Sequence, residues 1–318
     1  MTALPMRFRP RRPLGRTGFL ATVLGQGDVA DRSVPKDQCV RTIRRALEAG
    51  VNVLDTAPLY EDGYSEEIVG AAVRGRRDGV LVVDKIDHLD RPVGPQLDES
   101  LERLDLPAVD VLLFHAVPDL PAWKRLAEPG GGMAELAEEV KRGRTRWGGI
   151  SSHHPDVLTA ALDSELCDVL LFPVGPVCDP RHVDEILPRA RRMGVGTIGM
   201  KAFAGGKLLG DTEGYGRPLS DRPRGKLSSG GLDDARPSLP RLAVETCVRY
   251  AMTCDPDVVL LGLSFENEQD AAFAAAAHYT PMSAEEQAET RRRAAEAARG
   301  KGRVWWDPTG AAKLESLP

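Results

Sequence analysis

Long apolar runs are missing from this 318-residue chain. None reaches the ~18 residues that would read as a membrane-spanning helix, so no membrane association is expected. The basic stretch Met6–Arg12 has no apolar core behind it, which argues against a secretory signal and for a cytoplasmic protein. Cysteine is sparse and unpatterned: Cys39, Cys167, Cys178, Cys247 and Cys254 are odd in number and lack C-x-x-C spacing. A disulfide framework is thereby excluded and reduced thiols are the plain reading. An excess of positive charge is also absent. The net charge is −5, and Arg76-Arg77 and Arg291-Arg292-Arg293 are local clusters, so no nucleic-acid partner is expected. The G-x-G-x-x-G fingerprint of a doubly wound dinucleotide domain is missing too, because Gly25-Gln26-Gly27 has no third glycine.

What is present is an alternation. With 42% hydrophobic and 28% charged residues the chain can bury a core. Short β-branched runs alternate with amphipathic segments, and strands are expected at Ala21–Gly25, Val51–Asp55, Val80–Lys85, Val109–Phe114, Arg146–Ser151, Asp168–Pro173, Gly196–Lys201 and Val258–Leu261. A helix follows each, from Lys36–Ala49 to Glu266–Ala277. Eight such units are the count of a closed parallel (β/α)₈ TIM barrel, an α/β fold, here as one domain over residues 1–318 with the barrel at about 19–278. Arg7–Leu20 reads as an N-terminal β-hairpin closing the barrel floor. Ser283–Arg299 reads as a C-terminal helical extension, with Ser283 and Glu286 spaced as a capping box. His115–Gly132 and Ala202–Pro237 are expected to be long loops on the face where barrel enzymes build their sites. With Trp305 and Trp306 of the tail, Trp123 and Phe203 from these loops are candidate walls of a substrate pocket.

Asp55, Lys85 and His115 each end an apolar strand, and Tyr60 lies five residues past Asp55. Each alone has an ordinary explanation: a helix cap, a solvated lysine, a core histidine. Successive strand ends of a small barrel converge, so the four side chains can meet over its mouth. In Asn52–Tyr60 the chain resembles the D-T-A-x-x-Y signature of the aldo-keto reductase family. Lys85 and His115 match that family's strand-end lysine and histidine, and Gly143–Ser151 is similar to its G-K-x-R-x-x-G-x-S stretch. The resemblance covers about residues 8 to 278. It implies a reductase that interconverts an aldehyde or ketone and its alcohol with NADPH or NADH. Its catalytic residues would be Asp55, Tyr60, Lys85 and His115. Tyr60 would give the proton, with its pKa lowered from about 10 by the Lys85 ammonium. Asp55 would hold Lys85 charged, and neutral His115 would donate a hydrogen bond to the substrate oxygen.

The same resemblance assigns the nucleotide to Gly27, Asp28, Asp55, Ser151, Ser152, Met200, Lys201, Ala204, Gly205, Gly206, Ser264 and Glu268, with Lys207 as a further charge for the pyrophosphate. Ser152 stands where the family has asparagine, Leu171 where it has glutamine, and Met200 where it has an aromatic. The family favours NADPH, whereas the acid Glu268 in place of a cation favours NADH. Gly149-Ile150-Ser151-Ser152-His153-His154-Pro155 is similar to a subgroup that carries a ferredoxin-like C-terminal extension. The cysteines of a cluster are not here, so no iron–sulfur centre and no metal are expected. A small carbonyl or alcohol is the expected partner, the oligomeric state stays open with a monomer acceptable, and two other classes remain. One is a nucleotide-binding regulatory protein on the same barrel. The other is a metal-dependent hydrolase, for which Asp55 and His115 would be ligands but further carboxylates are lacking.

Overall fold

The computed structural model describes residues 8, 12–32, 34–209, 241–263 and 266–299, with the side chains of 267 and 268 excepted. Two short strands, β1 (Arg12–Pro13) and β2 (Leu20–Ala21), form an antiparallel hairpin. Eight parallel strands then close on themselves: β3 (Leu24–Gln26), β4 (Val53–Asp55), β5 (Leu81–Ile86), β6 (Val111–Phe114), β7 (Trp147–Ser151), β8 (Val169–Pro173), β9 (Gly196–Met200) and β10 (Val258–Leu261). Val259, Leu260 and Leu261 pair with Leu24, Gly25 and Gln26 to shut the ring. This is the (β/α)₈ barrel expected from the alternation. Among the described residues no helix is long and apolar enough to cross a membrane.

Side chains alternate across each strand, and the two faces are filled differently. Val53, Leu81, Val83, Val111, Leu113, Val169, Leu171, Ile198, Val258 and Leu260 stack inside the barrel. Leu54, Val82, Leu112, Ile150 and Leu170 face the surrounding helices. In α1 (Lys36–Glu48) the buried residues Cys39, Val40, Ile43 and Ala46 recur at helical spacing and make the stripe that docks on this layer. The inward row continues beyond the apolar stack to Asp55, Lys85 and His115. A shift of one residue in any of these strands would turn its polar terminus out of the barrel.

The floor is closed by the hairpin. Leu14, fully buried, belongs to the interior stack, and Gly15 at its tip has φ +48°. A Cβ on Gly15 would lie 2.2 Å from the backbone nitrogen of Gly196, so no larger residue fits. Arg16 reaches the end of the preceding unit, with Nε 3.1 Å from Asp168 Oδ1 and Nη2 2.7 Å from the Cys167 carbonyl.

Two elements differ from the expected pattern. The first strand, expected as Ala21–Gly25, is split between the hairpin and the barrel. Asn52 holds the break: its Oδ1 accepts from Thr22 N at 2.8 Å and its Nδ2 donates to Leu20 O at 2.9 Å. The segment His115–Gly132 is not all loop, because it contains α4 (Leu120–Ala127) ahead of α5 (Gly132–Lys141). Asp119 caps α4 by accepting from Ala122 N at 2.7 Å, and Pro121 sits in its first turn, where proline is tolerated. Trp123 is therefore a core residue at 3% exposure, packed under α4 and not in the cavity wall. At the other end α10 (Ala284–Ala298) carries the expected capping box between Ser283 and Glu286. Its Ala294, Ala297 and Ala298 pack with Val248 and Phe273. Most of the second long loop, residues 210–237, lies outside the described residues, as do Trp305 and Trp306.

Leu14→Ala should cost about 3 kcal/mol of unfolding free energy, the usual outcome of emptying a leucine site that cannot collapse. Urea denaturation measures it. A loss under about 1 kcal/mol would mean that the hairpin does not plug the floor.

Candidate active site

Lys85 is 1% exposed, and such a charge stays underground only with partners. Its Nζ donates to Asp55 Oδ1 and to the Thr56 carbonyl, both at 2.6 Å. Asp55 comes from the inward row of β4 and Lys85 from that of β5, so the pair bridges adjacent strands at the mouth. Tyr60 follows on the turn after β4, and the Lys85 ammonium lies 4.8 Å from the centre of its ring. That turn is wound through two successive left-handed residues, Glu61 and Asp62, both at φ 52°. Arg32 clamps it from the β3–α1 loop, donating to Glu61 O at 2.6 and 3.0 Å and to Asp62 O at 3.2 Å. His115 stands edge-on to Tyr60, with ring centres 5.6 Å apart and planes at 84°. The four strand-end residues therefore converge.

One residue that the sequence reading passed over joins them. Asp87 lies just past β5, with its side chain 3% exposed. One of its oxygens accepts from Leu59 N at 2.7 Å, beside Tyr60, and the other is hydrogen-bonded to Nδ1 of His115. Its only sequence signal was position, two residues beyond Lys85. Burial lowers the His115 pKa below its ordinary value, with the Lys85 charge adding to that and Asp87 opposing it. Nδ1 is thereby engaged by Asp87, with the direction of the bond set by the imidazole tautomer.

The expected lowering of the Tyr60 pKa does not hold. Lys85 does pull the Tyr60 pKa down, but burial pushes it up by more, and the nearby Asp55 and Asp28 charges add to the rise. The Lys85 charge is already answered by Asp55, so too little remains to offset desolvation. Lys85 itself is held above its ordinary pKa by Asp55 against the opposing effect of burial.

A cavity of about 390 Å³ opens beside this group. Of the expected nucleotide residues, Gly27, Asp28, Asp55, Met200, Lys201, Gly205 and Gly206 line it, with Phe203 and Gly262. Gly27 and Gly262 bring two chain segments together, since a Cβ on Gly27 would lie 3.3 Å from Gly262 N. Gly205 and Gly206 hold left-handed conformations at φ 62° and 87°. Ala204 is buried under the same turn and does not line the cavity. Ser151 and Ser152 do not line this cavity. Ser151 Oγ accepts from Ala116 N at 2.7 Å and Ser152 Oγ donates to Val117 O at 2.8 Å, so both hydroxyls tie down the loop after His115. Lys207 is 1% exposed and off the cavity wall, and Leu171, where the family has glutamine, is stacked inside the barrel. Ser264 and the side chain of Glu268 lie outside the described residues. Among the described residues no group of three or more histidine, cysteine or acidic side chains converges as a metal site.

A closed barrel with a charged, partly apolar cavity at the C-terminal ends of its strands defines a small-molecule site of the barrel-enzyme kind. The sequence profile of the Aldo/keto reductase family matches residues 22–295, and the chain belongs to that family. It is 30% identical over 214 residues to an L-galactose dehydrogenase of Arabidopsis thaliana, which covers 62% of this chain and 66% of the plant protein. An aflatoxin B1 aldehyde reductase member 2 of Rattus norvegicus is 38% identical over 119 residues, 35% of this chain and 32% of the rat protein. These alignments thus span less than two thirds of the relatives. Among solved structures, an aldo-keto reductase of Bacillus halodurans in its holo form superimposes with a TM-score of 0.66 at 22% identity, covering 89% of this chain and 95% of the other. One from Klebsiella pneumoniae in complex with NADPH gives 0.63 at 22% identity, covering 92% and 95%. At that identity the likeness is one of fold.

Asp28 carries a testable charge. Burial raises its pKa from 3.8 to about 6, against hydrogen bonds from Ala30 N and the Ser65 side chain. A carboxyl whose folded pKa lies above its unfolded one stabilises the fold fully below pH 3.8 and loses that contribution as pH rises through about 6. Asp28→Asn should therefore gain up to about 3 kcal/mol at pH 7, less whatever cavity water screens, and no more than about 0.6 kcal/mol at pH 4. Chemical denaturation at the two pH values checks this. An equal gain at both would remove the charge from the explanation.

Proposed function

We propose that this protein is an NAD(P)-dependent oxidoreductase that interconverts an aldehyde or ketone and its alcohol, with Tyr60, Lys85, Asp55 and His115 as its catalytic group. The observation that carries this reading is the convergence of these four side chains at the mouth, next to a glycine-lined cavity. The cavity fits an anionic dinucleotide. Gly27, Gly262, Gly205 and Gly206 let backbone approach closely, Lys201 supplies positive charge, and Asp28 and Asp55 supply acceptors for ribose hydroxyls. When bound, the nicotinamide exchanges hydride with the substrate carbon.

The chain's own residues then have to manage the oxygen. Tyr60 presents its O–H to that oxygen, delivering the hydrogen bond, and in reduction the proton, that the developing alkoxide requires. Lys85 fixes a positive charge behind the phenol and favours negative charge in front of it. Asp55 keeps Lys85 ionised and points it. His115 and the half-exposed Leu59 flank the place where the substrate oxygen meets Tyr60, and Met200 and Phe203 give the cavity apolar surface. The names of the plant and rat relatives support an alcohol or aldehyde as substrate, and the NADPH complex of the Klebsiella structure supports the cofactor class.

Nicotinamide absorbance with benzaldehyde and NADPH or NADH, and with benzyl alcohol and NADP⁺ or NAD⁺, tests the proposal directly. Tyr60→Phe should retain cofactor affinity while losing at least a hundredfold in kcat. A variant with half the original kcat would remove Tyr60 from the chemistry. Lys85→Met should be as damaging to turnover and should also cost stability, because it strands Asp55 without its partner. No turnover in either direction with either cofactor would leave a nucleotide-binding, non-catalytic protein.

A further inference from the structure

The cavity beside Tyr60 carries a charge that the four strand-end residues leave unused. Asp28 follows β3 and lines the cavity with Asp55, Tyr60 and Lys201. Its side chain is fixed: Oδ1 accepts from Ala30 N at 2.9 Å, and the Ser65 side chain adds a hydrogen bond. Lys85 and Asp55 offset each other as an ion pair, and Lys201 is the first of the charges that act on His153. Asp28 acts instead on Tyr60, whose phenolate it opposes. Hydride can pass only to the carbon whose oxygen meets Tyr60. A nicotinamide ring therefore has to lie in the part of the cavity next to that phenol, within Coulomb range of Asp28. The ring bears a positive charge when oxidised and none when reduced. We propose that the Asp28 carboxylate makes this site discriminate between the two redox forms of its cofactor, holding the oxidised cation more tightly relative to the reduced form than an uncharged wall would.

Comparison of the two forms isolates this effect. Pyrophosphate, ribose and adenosine are common to both, so the repulsion between Asp28 and the phosphates cancels in the ratio of affinities. One unit of charge on the ring does not cancel, and its pull on the carboxylate grows where the seated dinucleotide displaces water. Holding the oxidised form also favours departure of hydride from the reduced one while substrate is bound. The charge is itself conditional. Burial raises the Asp28 pKa to about 6, so the preference for the oxidised form is present at neutral pH and fades as pH falls through that value. By linkage, the oxidised cofactor draws more proton off Asp28 on binding than the reduced one does. Asp55 of β4, Lys85 of β5, Tyr60, Lys201, Cys39 of α1 and Asp31 surround the carboxyl, and Glu61 shares the cavity wall. Burial holds Tyr60 and Cys39 above their ordinary pKa, which keeps both neutral in mild acid. His115 and Lys201, whose pKa values burial lowers, change the field at the ring in the same sense as pH rises. Only a substitution at Asp28 separates its share from theirs.

The inference rests on the oxidoreductase reading, and the two can fail separately. Isothermal titration calorimetry of the full chain with NAD⁺ and NADH, and with NADP⁺ and NADPH, gives the Kd of each reduced form divided by that of its oxidised partner. In the native protein this ratio should rise at least about fivefold between about pH 5 and pH 7.5. Asp28→Asn, which keeps the acceptor for Ala30 N, should lower the ratio at least about fivefold at pH 7.5 and flatten most of its rise. Asp28→Glu, which keeps the charge, should restore the pH-dependent preference. Titrations at about pH 6 in buffers of different ionisation enthalpy count protons. The native protein should release more with the oxidised form than with the reduced one, and Asp28→Asn should show the two alike. A ratio at pH 7.5 that Asp28→Asn leaves unchanged makes Asp28 a ribose acceptor only. A native rise with pH that survives in Asp28→Asn belongs to His115 or Lys201. Either result overturns the inference and leaves the cofactor site standing. Binding of neither cofactor pair by the native protein overturns the oxidoreductase reading and the inference with it.

Discussion

The ion pair between Lys85 and Asp55 is the constraint on which the mouth of the barrel depends. An ammonium removed from water costs several kcal/mol, which only a close carboxylate and a further acceptor offset. Both are supplied by the end of the adjacent strand and the residue after it, at 2.6 Å each. Because the bonds cross from β5 to β4, they exist only when the register of the barrel is correct. The polar end of the inward row and the apolar stack beneath it thus specify one another. Tyr60, the cavity and the loops are arranged around a charge that cannot move without being stranded.

The neighbouring position shows the converse. Asp84 stands between Val83 and Lys85 but faces outward, into the layer under α2 (Tyr64–Val73) and α3 (Val93–Leu104). Its carboxyl oxygens find no hydrogen-bond partner among the described residues, and burial, with the Glu66 charge next, raises its pKa well above the usual range. Glu66 is answered by Arg103. One strand therefore carries an ion-paired lysine on its inner face and, on its outer face, an acid whose burial opposes its charged form.

Much of this could be read along the chain. Alternation of period two in Leu81–Ile86, interrupted by a lysine at the inward end, is legible because burial of one face leaves no other register. The convergence of Asp55, Lys85 and His115 follows from eight units closing a ring. What escaped were features decided by contacts distant in sequence. Asp87 is one of many exposed-looking acids in the chain until His115 and Leu59 close on it. The phenol's pKa depended on how deeply it would be buried, which no spacing encodes. The backbone that Ser151 and Ser152 bind, Ala116 and Val117, belongs to another unit, and no spacing in the sequence points to it. Trp123 looked like pocket wall because the prolines around it hid a helix capped by Asp119.

The N-terminal hairpin has a consequence for how the chain must assemble. Leu14 needs the completed interior stack, Arg12 binds Asp255 across 243 positions of sequence, and Arg16 binds Asp168 across 152. The hairpin, made before every strand of the barrel, is thus among the last parts that can find its place. Until β10 arrives to pair with β3, the hairpin has no seat and the ring has an open seam. Contacts of such span are slow to form, and a barrel waiting for them exposes strand edges to other chains. The residues that seal the floor are also a latch that can engage only once β10 has been made.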